Sequence, residues 1–163
     1  MADAAVSTTI TSTNGVPVLV ERAMWWPGTS DQWFEGHNTS GAVWTGEKWG
    51  LADGGVGGPR GAETHVLIAN TSASTGTARV QVIFEDGTVA SQDIVLPATS
   101  RTDVAVGAQF PQAADRRFAV IVESIGSSAT QIGVERAVYN SALGEGVSVA
   151  LAAGSNSLGT RLR

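Results

Sequence analysis

Hydrophobic and polar positions alternate along nearly the whole chain, and clusters of Gly, Ser, Thr, Asn or Asp interrupt this alternation at short intervals. One clear example is Val80, Val82 and Phe84, which share one face of a strand while Arg79 and Gln81 share the other. A period of two over such short segments predicts β-strands. The predicted strands are residues 6–13, 16–26, 49–52, 64–71, 78–85, 89–96, 102–106, 118–124, 131–139 and 147–152.

The residues between these segments favour tight turns. The pair Asp86-Gly87 predicts a hairpin between two neighbouring strands, and Asn14-Gly15 predicts the same between the first two strands. Only residues 110–115 suggest a helical turn, because no window keeps apolar residues at the spacing of a helix. The pattern therefore predicts an all-β fold, an Ig-like antiparallel β-sandwich.

A short motif occurs twice in the chain. Residues 20–25 return as residues 134–139, 114 positions later, with four of the six residues identical. The same offset pairs Val18 with Ile132, so the match extends beyond the motif. A repeat of this length has the size of a small domain.

The repeat predicts how the chain is organised. We expect residues 1–163 to form a single compact unit, since the chain is long enough to bury a sizeable core. Residues 4–26 match 118–140 and are predicted to be equivalent to the closing strands of a preceding repeat, with 49–163 as a complete repeat. Both a monomer and a strand-exchanged dimer are compatible with this organisation.

The two copies differ in the segment after the motif. In the second copy, nine residues (140–148) lead to 149–154, which are similar to 49–54, whereas the first copy has the longer segment 27–48. We therefore predict a long aromatic loop over 27–48, and long loops on a rigid sheet often carry function. The five tryptophans that lie in or beside it are Trp25, Trp26, Trp33, Trp44 and Trp49.

Composition and charge exclude several functions. The net charge is −5, and the ten cationic residues are scattered and include a single lysine, so we expect no nucleic-acid partner. The chain has no cysteine, which excludes disulfides and thiol nucleophiles. No apolar run approaches about 18 residues, so we expect no membrane insertion.

Several short motifs together resemble a known family. They are Glu21-Arg22-Ala23-Met24 with an aromatic pair after it, Gly36-His37-Asn38, the segments 49–54 and 63–70, Ser100-Arg101, and Gly159-Thr160-Arg161-Leu162. The chain resembles uncharacterised modules that recur in tandem in large secreted or surface proteins of actinobacteria and related bacteria. The resemblance implies an extracellular Ig-like sandwich of accessory role, with a secreted or cell-surface location, and it supplies no catalytic motif.

The Glu-Arg pair of each copy, Glu21-Arg22 and Glu135-Arg136, has a structural and a catalytic interpretation. Adjacent strand residues point to opposite faces, so the two members of a pair cannot bond each other directly. A half-buried arginine bonded to loop carbonyls or to a neighbouring carboxylate would fix loop geometry in both copies. Catalysis by Glu21 with Glu135 would need the carboxylates about 5 to 10 Å apart across a cleft. We predict a structural role for all four residues.

The aromatic segment offers a candidate ligand site. Aromatic rings can stack on the C–H faces of sugars while nearby polar groups bond the hydroxyls, but the same rings can anchor a loop or contact a neighbouring module. Two histidines without thiolates make a poor metal site, so no metal or cofactor is predicted. The candidate ligand-binding residues are Trp33, Phe34, Trp44, Asp31, Glu35, His37 and Asn38.

Three functions remain at this stage. The first is a non-catalytic accessory or structural module of a larger secreted or cell-surface protein, with neighbouring modules as its partners. The second is a carbohydrate-binding or adhesive module that uses residues 27–48 to bind a glycan. The third is a small hydrolase that uses Glu21, Glu135 or His37, and we rank it last and expect that the chain is not an enzyme.

Overall fold

A computed structural model describes residues 6–29, 32–127, 129–144 and 147–163, without side chains for 26–34 and 142–152. Short helical turns, α1 (Val106–Gln109) and a 3₁₀ turn (Pro111–Ala113), lie within the predicted 110–115 region or just before it. The strands are β1 (Glu21–Thr29), β2 (Gln32–Ser40), β3 (Lys48–Val56), β4 (Glu63–Asn70), β5 (Gly76–Phe84), β6 (Val89–Leu96), β7 (Ser100–Ala105), β8 (Arg116–Ile125), β9 (Ile132–Gly144), β10 (Val147–Leu158) and β11 (Thr160–Arg161).

These strands form two packed sheets and a separate hairpin. One sheet has four strands in the order β10-β9-β4-β7, the other has five in the order β11-β3-β8-β5-β6, and β1 pairs with β2 alone. Every strand pair among the described residues is antiparallel. The predicted all-β antiparallel sandwich is confirmed, and no helix in the described ranges has the length and apolar character to cross a bilayer.

The core lies between the two sheets and follows the alternation seen in the sequence. Along β4 the residues at every second position, Thr64 to Asn70, are buried, while those between them face outward. Removing apolar side chains from water is the main favourable term in such a core. Its largest fully buried members are Trp49, Ile68, Leu96, Ile132, Val66, Val80, Val82, Val104, Val106, Val122 and Val134.

The first two predicted strands are not formed as expected. Residues 6–20 contain no strand, and β1 begins only at Glu21. Asn14 does make a local turn, in which its Oδ1 accepts a hydrogen bond from the Val16 amide at 3.1 Å, but no hairpin is formed there. A strand needs a partner for its backbone groups, and alternation in the sequence cannot supply one.

The predicted long loop over 27–48 is largely strand. Residues 32–40 form β2, which pairs with β1, so that only residues 41–47 connect the hairpin to β3. The Pro27-Gly28 pair reads as a loop in the sequence, yet proline is tolerated in β1 because this strand has a neighbour on one side only. Aromatic residues around it favour an extended backbone.

Candidate functional site

The β1–β2 hairpin covers the outward face of the four-stranded sheet. We call this face, formed by the exposed sides of β4, β7, β9 and β10, the outer face. Arg22 and Met24 of β1 and His37 of β2 point toward it, because these three share one side of the hairpin in the observed register. The outer-face residues beneath them are His65, Leu67, Arg101, Asp103, Glu135, Ala137 and Tyr139.

One ion pair anchors the hairpin to the outer face. Arg22 donates from Nη2 to Glu135 Oε1 at 2.5 Å and from Nη1 to Oε2 at 3.3 Å. Glu135 also accepts a hydrogen bond from Asn156 Nδ2, which holds the carboxylate in place. Only 14% of the Glu135 side chain is exposed, whereas Arg22 is 37% exposed. A bidentate pair of this kind fixes the orientation of the two side chains relative to each other. Because Arg22 is partly exposed, the pair contributes only modestly to stability.

A pocket of about 240 Å³ lies between the hairpin and the sheet, beside this ion pair. Its wall includes Arg101, which pairs with Asp103 at 2.7 Å and also donates to the Val6 carbonyl oxygen at 2.8 Å. On the same wall, His65 meets the ring of Tyr139 edge-on, with 6.0 Å between ring centroids. Both arginines of the pocket are therefore already neutralised by carboxylates of the protein.

Burial shifts the pKa of two groups that line the pocket. Loss of solvent lowers the pKa of His37 below its ordinary value, and the nearby positive charge of Arg22 lowers it further. Burial likewise raises the pKa of Tyr139. At neutral pH the imidazole is therefore uncharged and the phenol keeps its proton. In these forms both groups can donate and accept hydrogen bonds.

The four residues with a predicted structural role occupy three different environments. Arg22 meets a carboxylate, while Arg136 donates from Nη1 to the carbonyl oxygens of Ala52 and Asp53, where β3 bulges. A neighbouring carboxylate and backbone carbonyl oxygens are the two kinds of partner that the sequence analysis allowed for these arginines. Glu21 lies on the outside of the hairpin, where its Oε1 accepts from Asn38 Nδ2 at 3.0 Å. Glu21 and Glu135 thus lie on opposite sides of β1 and do not face each other across a cleft.

The candidate ligand-binding residues with described side chains, Glu35, His37, Asn38 and Trp44, do not share one surface. Glu35 accepts a hydrogen bond from the Gly36 amide at 3.0 Å, and Trp44 lies beyond the end of β2 with 53% of its surface exposed. Trp33 and Phe34 belong to β2, but their side chains are not described, and Asp31 lies outside the described residues. The described part of the chain contains no group of three metal-ligating side chains.

Sequence reasoning did not place Trp25 among the candidate ligand-binding residues. Trp25 is nevertheless 61% exposed, and its indole lies close over Gly36. A Cβ at Gly36 would stand 2.9 Å from Trp25 Cδ1, so glycine makes room for the ring. The cross-strand pair of Trp25 with Gly36 shares its face with Glu21 and Asn38. In contrast, Trp49 is buried and donates from Nε1 to the Ile132 carbonyl oxygen at 3.0 Å.

The structure also shows that the two hairpins are copies of each other. Glu21-Arg22-Ala23 faces Asn38 across β1–β2 as Glu135-Arg136-Ala137 faces Asn156 across β9–β10. Each asparagine bonds the glutamate of its own hairpin. The closing backbone bonds also match, because Gly41 donates to Val20 and Gly159 donates to Val134, both at 2.8 Å. The counterpart of β2 is therefore β10, which corrects the alignment of 149–154 with 49–54.

These features define an all-β sandwich module with a second hairpin docked on one face. A scan against known protein-family models and a search of curated proteins found no match. Among solved structures, the fold is similar to the crystal structure of Thermotoga maritima 1070, at 13% identity and a TM-score of 0.56 over 72% of this chain and 95% of that chain. This likeness supports the fold alone. The Anabaena sensory rhodopsin transducer is more distantly similar, at 19% identity and a TM-score of 0.46 over 56% of this chain and 86% of that chain.

Proposed function

We propose that the chain is a non-catalytic β-sandwich module of a larger secreted or cell-surface protein, where it associates with neighbouring modules. The observation that carries this proposal is that the β1–β2 hairpin repeats the β9–β10 hairpin in sequence and register, each with its own Glu-Asn bond. The chain thus holds one hairpin more than its sandwich uses, as expected for a protein of repeated units, and in this chain the extra hairpin docks on the outer face through Arg22 and Glu135. The exported location follows from the family resemblance alone.

The arrangement of the charged groups supports a role without catalysis. Glu135 is occupied by Arg22 and Asn156, and Glu21 lies on the far side of β1. Hydrolysis by two carboxylates needs both groups beside one substrate bond, with at least one of them poised to exchange a proton. Paired charges of this kind instead hold two surfaces in a fixed orientation.

A glycan-binding function is the second candidate, and the exposure of Trp25 favours it. The ring shares its face of the hairpin with Asn38 and Glu21, whose polar groups could bond sugar hydroxyls beside a stacked pyranose. An exposed stacking ring typically contributes about 1 to 2 kcal/mol to binding, which is roughly a tenfold change in affinity. Trp44 is similarly exposed but lies beyond the end of β2, so it provides a matched control for Trp25.

Glycan-array binding of the wild type beside Trp25→Ala, Trp33→Ala and Trp44→Ala separates the two functions. The structural role predicts that the wild type gives no signal on the array. A wild-type signal that Trp25→Ala or Trp33→Ala removes and Trp44→Ala retains would instead establish a binding module and refute the leading proposal. Circular dichroism of each variant confirms that a lost signal does not reflect unfolding.

A further inference from the structure

Exposed apolar side chains are concentrated in one part of the molecule. Of the twelve large hydrophobic side chains exposed among the described residues, nine lie in 6–44. Scattered exposed apolar residues are ordinary, but such a concentration marks a surface that lacks its partner. The nine residues are Val6, Ile10, Val16, Val18, Leu19, Met24, Trp25, Val43 and Trp44.

The internal repeat shows what would cover this surface. At the offset of 114, Val18 corresponds to Ile132; Val18 is 58% exposed whereas Ile132 is fully buried between the two sheets. Val6 corresponds to Val120, which is also in the core, while Val6 itself is exposed. The first copy therefore carries the apolar residues that a sandwich would bury, but no second sheet lies against them.

The correspondence continues to the end of the hairpin and beyond it. Gly41 and Gly159 close their hairpins with the same backbone hydrogen bond. Residues 42–44 of the first copy are therefore equivalent to residues 160–162 of the second. In the second copy these residues complete the five-stranded sheet, since Thr160 pairs with Gly50 and the Leu162 amide donates to the Lys48 carbonyl oxygen at 2.9 Å. Residues 6–44 are thus equivalent to 120–162, the part of the chain that contains most of β8 and all of β9 to β11.

From these observations we infer that residues 6–44 are a closing segment, built to complete a second sandwich body of this same fold. That body would supply the equivalents of β3 to β7, and the segment would supply its last strands. The inference rests on the proposed structural role and identifies the neighbouring module as a second body of this same fold. In the completed partner, Arg22 would leave Glu135 and bond the carbonyl oxygens of the partner's β3 bulge, as Arg136 does here.

A fusion of the full chain provides this partner directly. Residues 45–119 are placed before Val6, so that Ala119 is followed by Val6 as it is normally followed by Val120. Hydrogen exchange by mass spectrometry then compares residues 6–20 in the fusion and in the unfused chain. We expect exchange at least about a hundredfold slower in the fusion, because these amides become part of a cooperative sheet.

A control fusion keeps the test falsifiable. In it, residues 120–162 replace 6–44 between the two bodies, so that a known closing segment completes the first body. Unchanged fast exchange of 6–20, beside full protection of the replaced segment in the control, would overturn the inference. Protection that develops in the unfused chain only as it dimerises would assign the segment to a second copy and would overturn it as well.

Substitution of matched positions gives a readout that needs no fusion. In the unfused chain, Val18→Asp is expected to leave the melting temperature within about 2 °C of wild type, whereas Ile132→Asp should lower it severely. An equal loss in both variants would show that residues 6–20 already pack on their own body, against the inference. Glycan binding on the array would refute the proposed structural role but not this inference, because it would not change the hydrogen exchange of residues 6–20 in the fusion.

Discussion

The two hairpins of this molecule have nearly the same sequence pattern and the same register, but they lie in different environments. In β9–β10 the inward-facing Arg136 reaches across to the carbonyl oxygens of the β3 bulge in the other sheet. In β1–β2 the corresponding Arg22 reaches a carboxylate on the outer face. Local sequence therefore specifies the hairpin and its Glu-Asn bond, and the packing around it decides what the arginine does.

The largest expected difference between the two regions concerns their tryptophans. Trp49 is buried and ties β3 to the start of β9, so Trp49→Ala should reduce the free energy of unfolding by about 3 to 5 kcal/mol. Trp25→Ala, on the exposed face of the first hairpin, should change it by less than about 0.5 kcal/mol. Urea unfolding followed by circular dichroism measures both. A large loss in Trp25→Ala would show that the first hairpin is packed more deeply than described.

The paired arginines should differ next. Arg136→Ala removes a charged donor from two carbonyl oxygens at the β3 bulge, and because Ala52 and Asp53 are exposed and water replaces part of the contact, we expect a loss of about 1.5 to 2 kcal/mol. Arg22→Ala should cost about 1 kcal/mol, because the ion pair is partly solvated and Glu135 keeps Asn156 as a partner. The same unfolding experiment decides the order. A reversed order would mean that docking of the first hairpin contributes more than the bulge contact.

A smaller difference is expected for the two asparagines. Asn156→Ala removes a hydrogen bond to the half-buried Glu135 and should cost about 1 kcal/mol, whereas Asn38→Ala acts on the exposed Glu21 and should cost a few tenths. Thermal unfolding of the two variants at the same pH provides the comparison. Equal losses would indicate that the Glu-Asn bond stabilises each hairpin locally, whatever its surroundings.

The smallest expected effect is a pH dependence of stability to which the first hairpin contributes and the second does not. His37 has a lowered pKa in the folded protein, so below about pH 6.5 the unfolded chain binds more protons and stability falls as the pH falls. The corresponding position in the second hairpin is Ser155, which does not titrate in this range. We expect His37→Ser to reduce the loss of stability between pH 7.5 and 5.5. Identical pH profiles of wild type and variant would contradict the prediction.

Much of the sandwich could be predicted from the sequence, because alternation directly reports a strand with one buried face. Val80, Val82 and Phe84 are an example, since all three are buried in β5 as their spacing predicted. The same alternation wrongly predicted strands within residues 6–20, where no neighbouring strand is present. A periodic pattern records what a segment can bury, and only the fold determines whether a partner is there.

The candidate site was harder to predict for a related reason. The hairpin copies could have been recognised from Gly36, Asn38 and Gly41, which recur as Gly154, Asn156 and Gly159. Their offset is 118 and not 114, because the first copy is shorter by four residues between its motif and this second match, so a search at one fixed offset overlooks them. The outer-face pair Arg101 and Asp103 gave only a weak signal, two charges on one side of a strand. These two residues line the same pocket as Arg22 only because the hairpin docks there, which no local pattern reports.

The first hairpin docks on the outer face of its own sandwich through Arg22 and Glu135. A double-mutant cycle with Arg22→Ala and Glu135→Gln, followed by urea unfolding of the full chain, measures this contact. We predict a coupling of about 1 kcal/mol between the two sites, since they form one bidentate contact. Additivity of the two substitutions within about 0.3 kcal/mol would contradict it, because residues that do not touch show no such coupling.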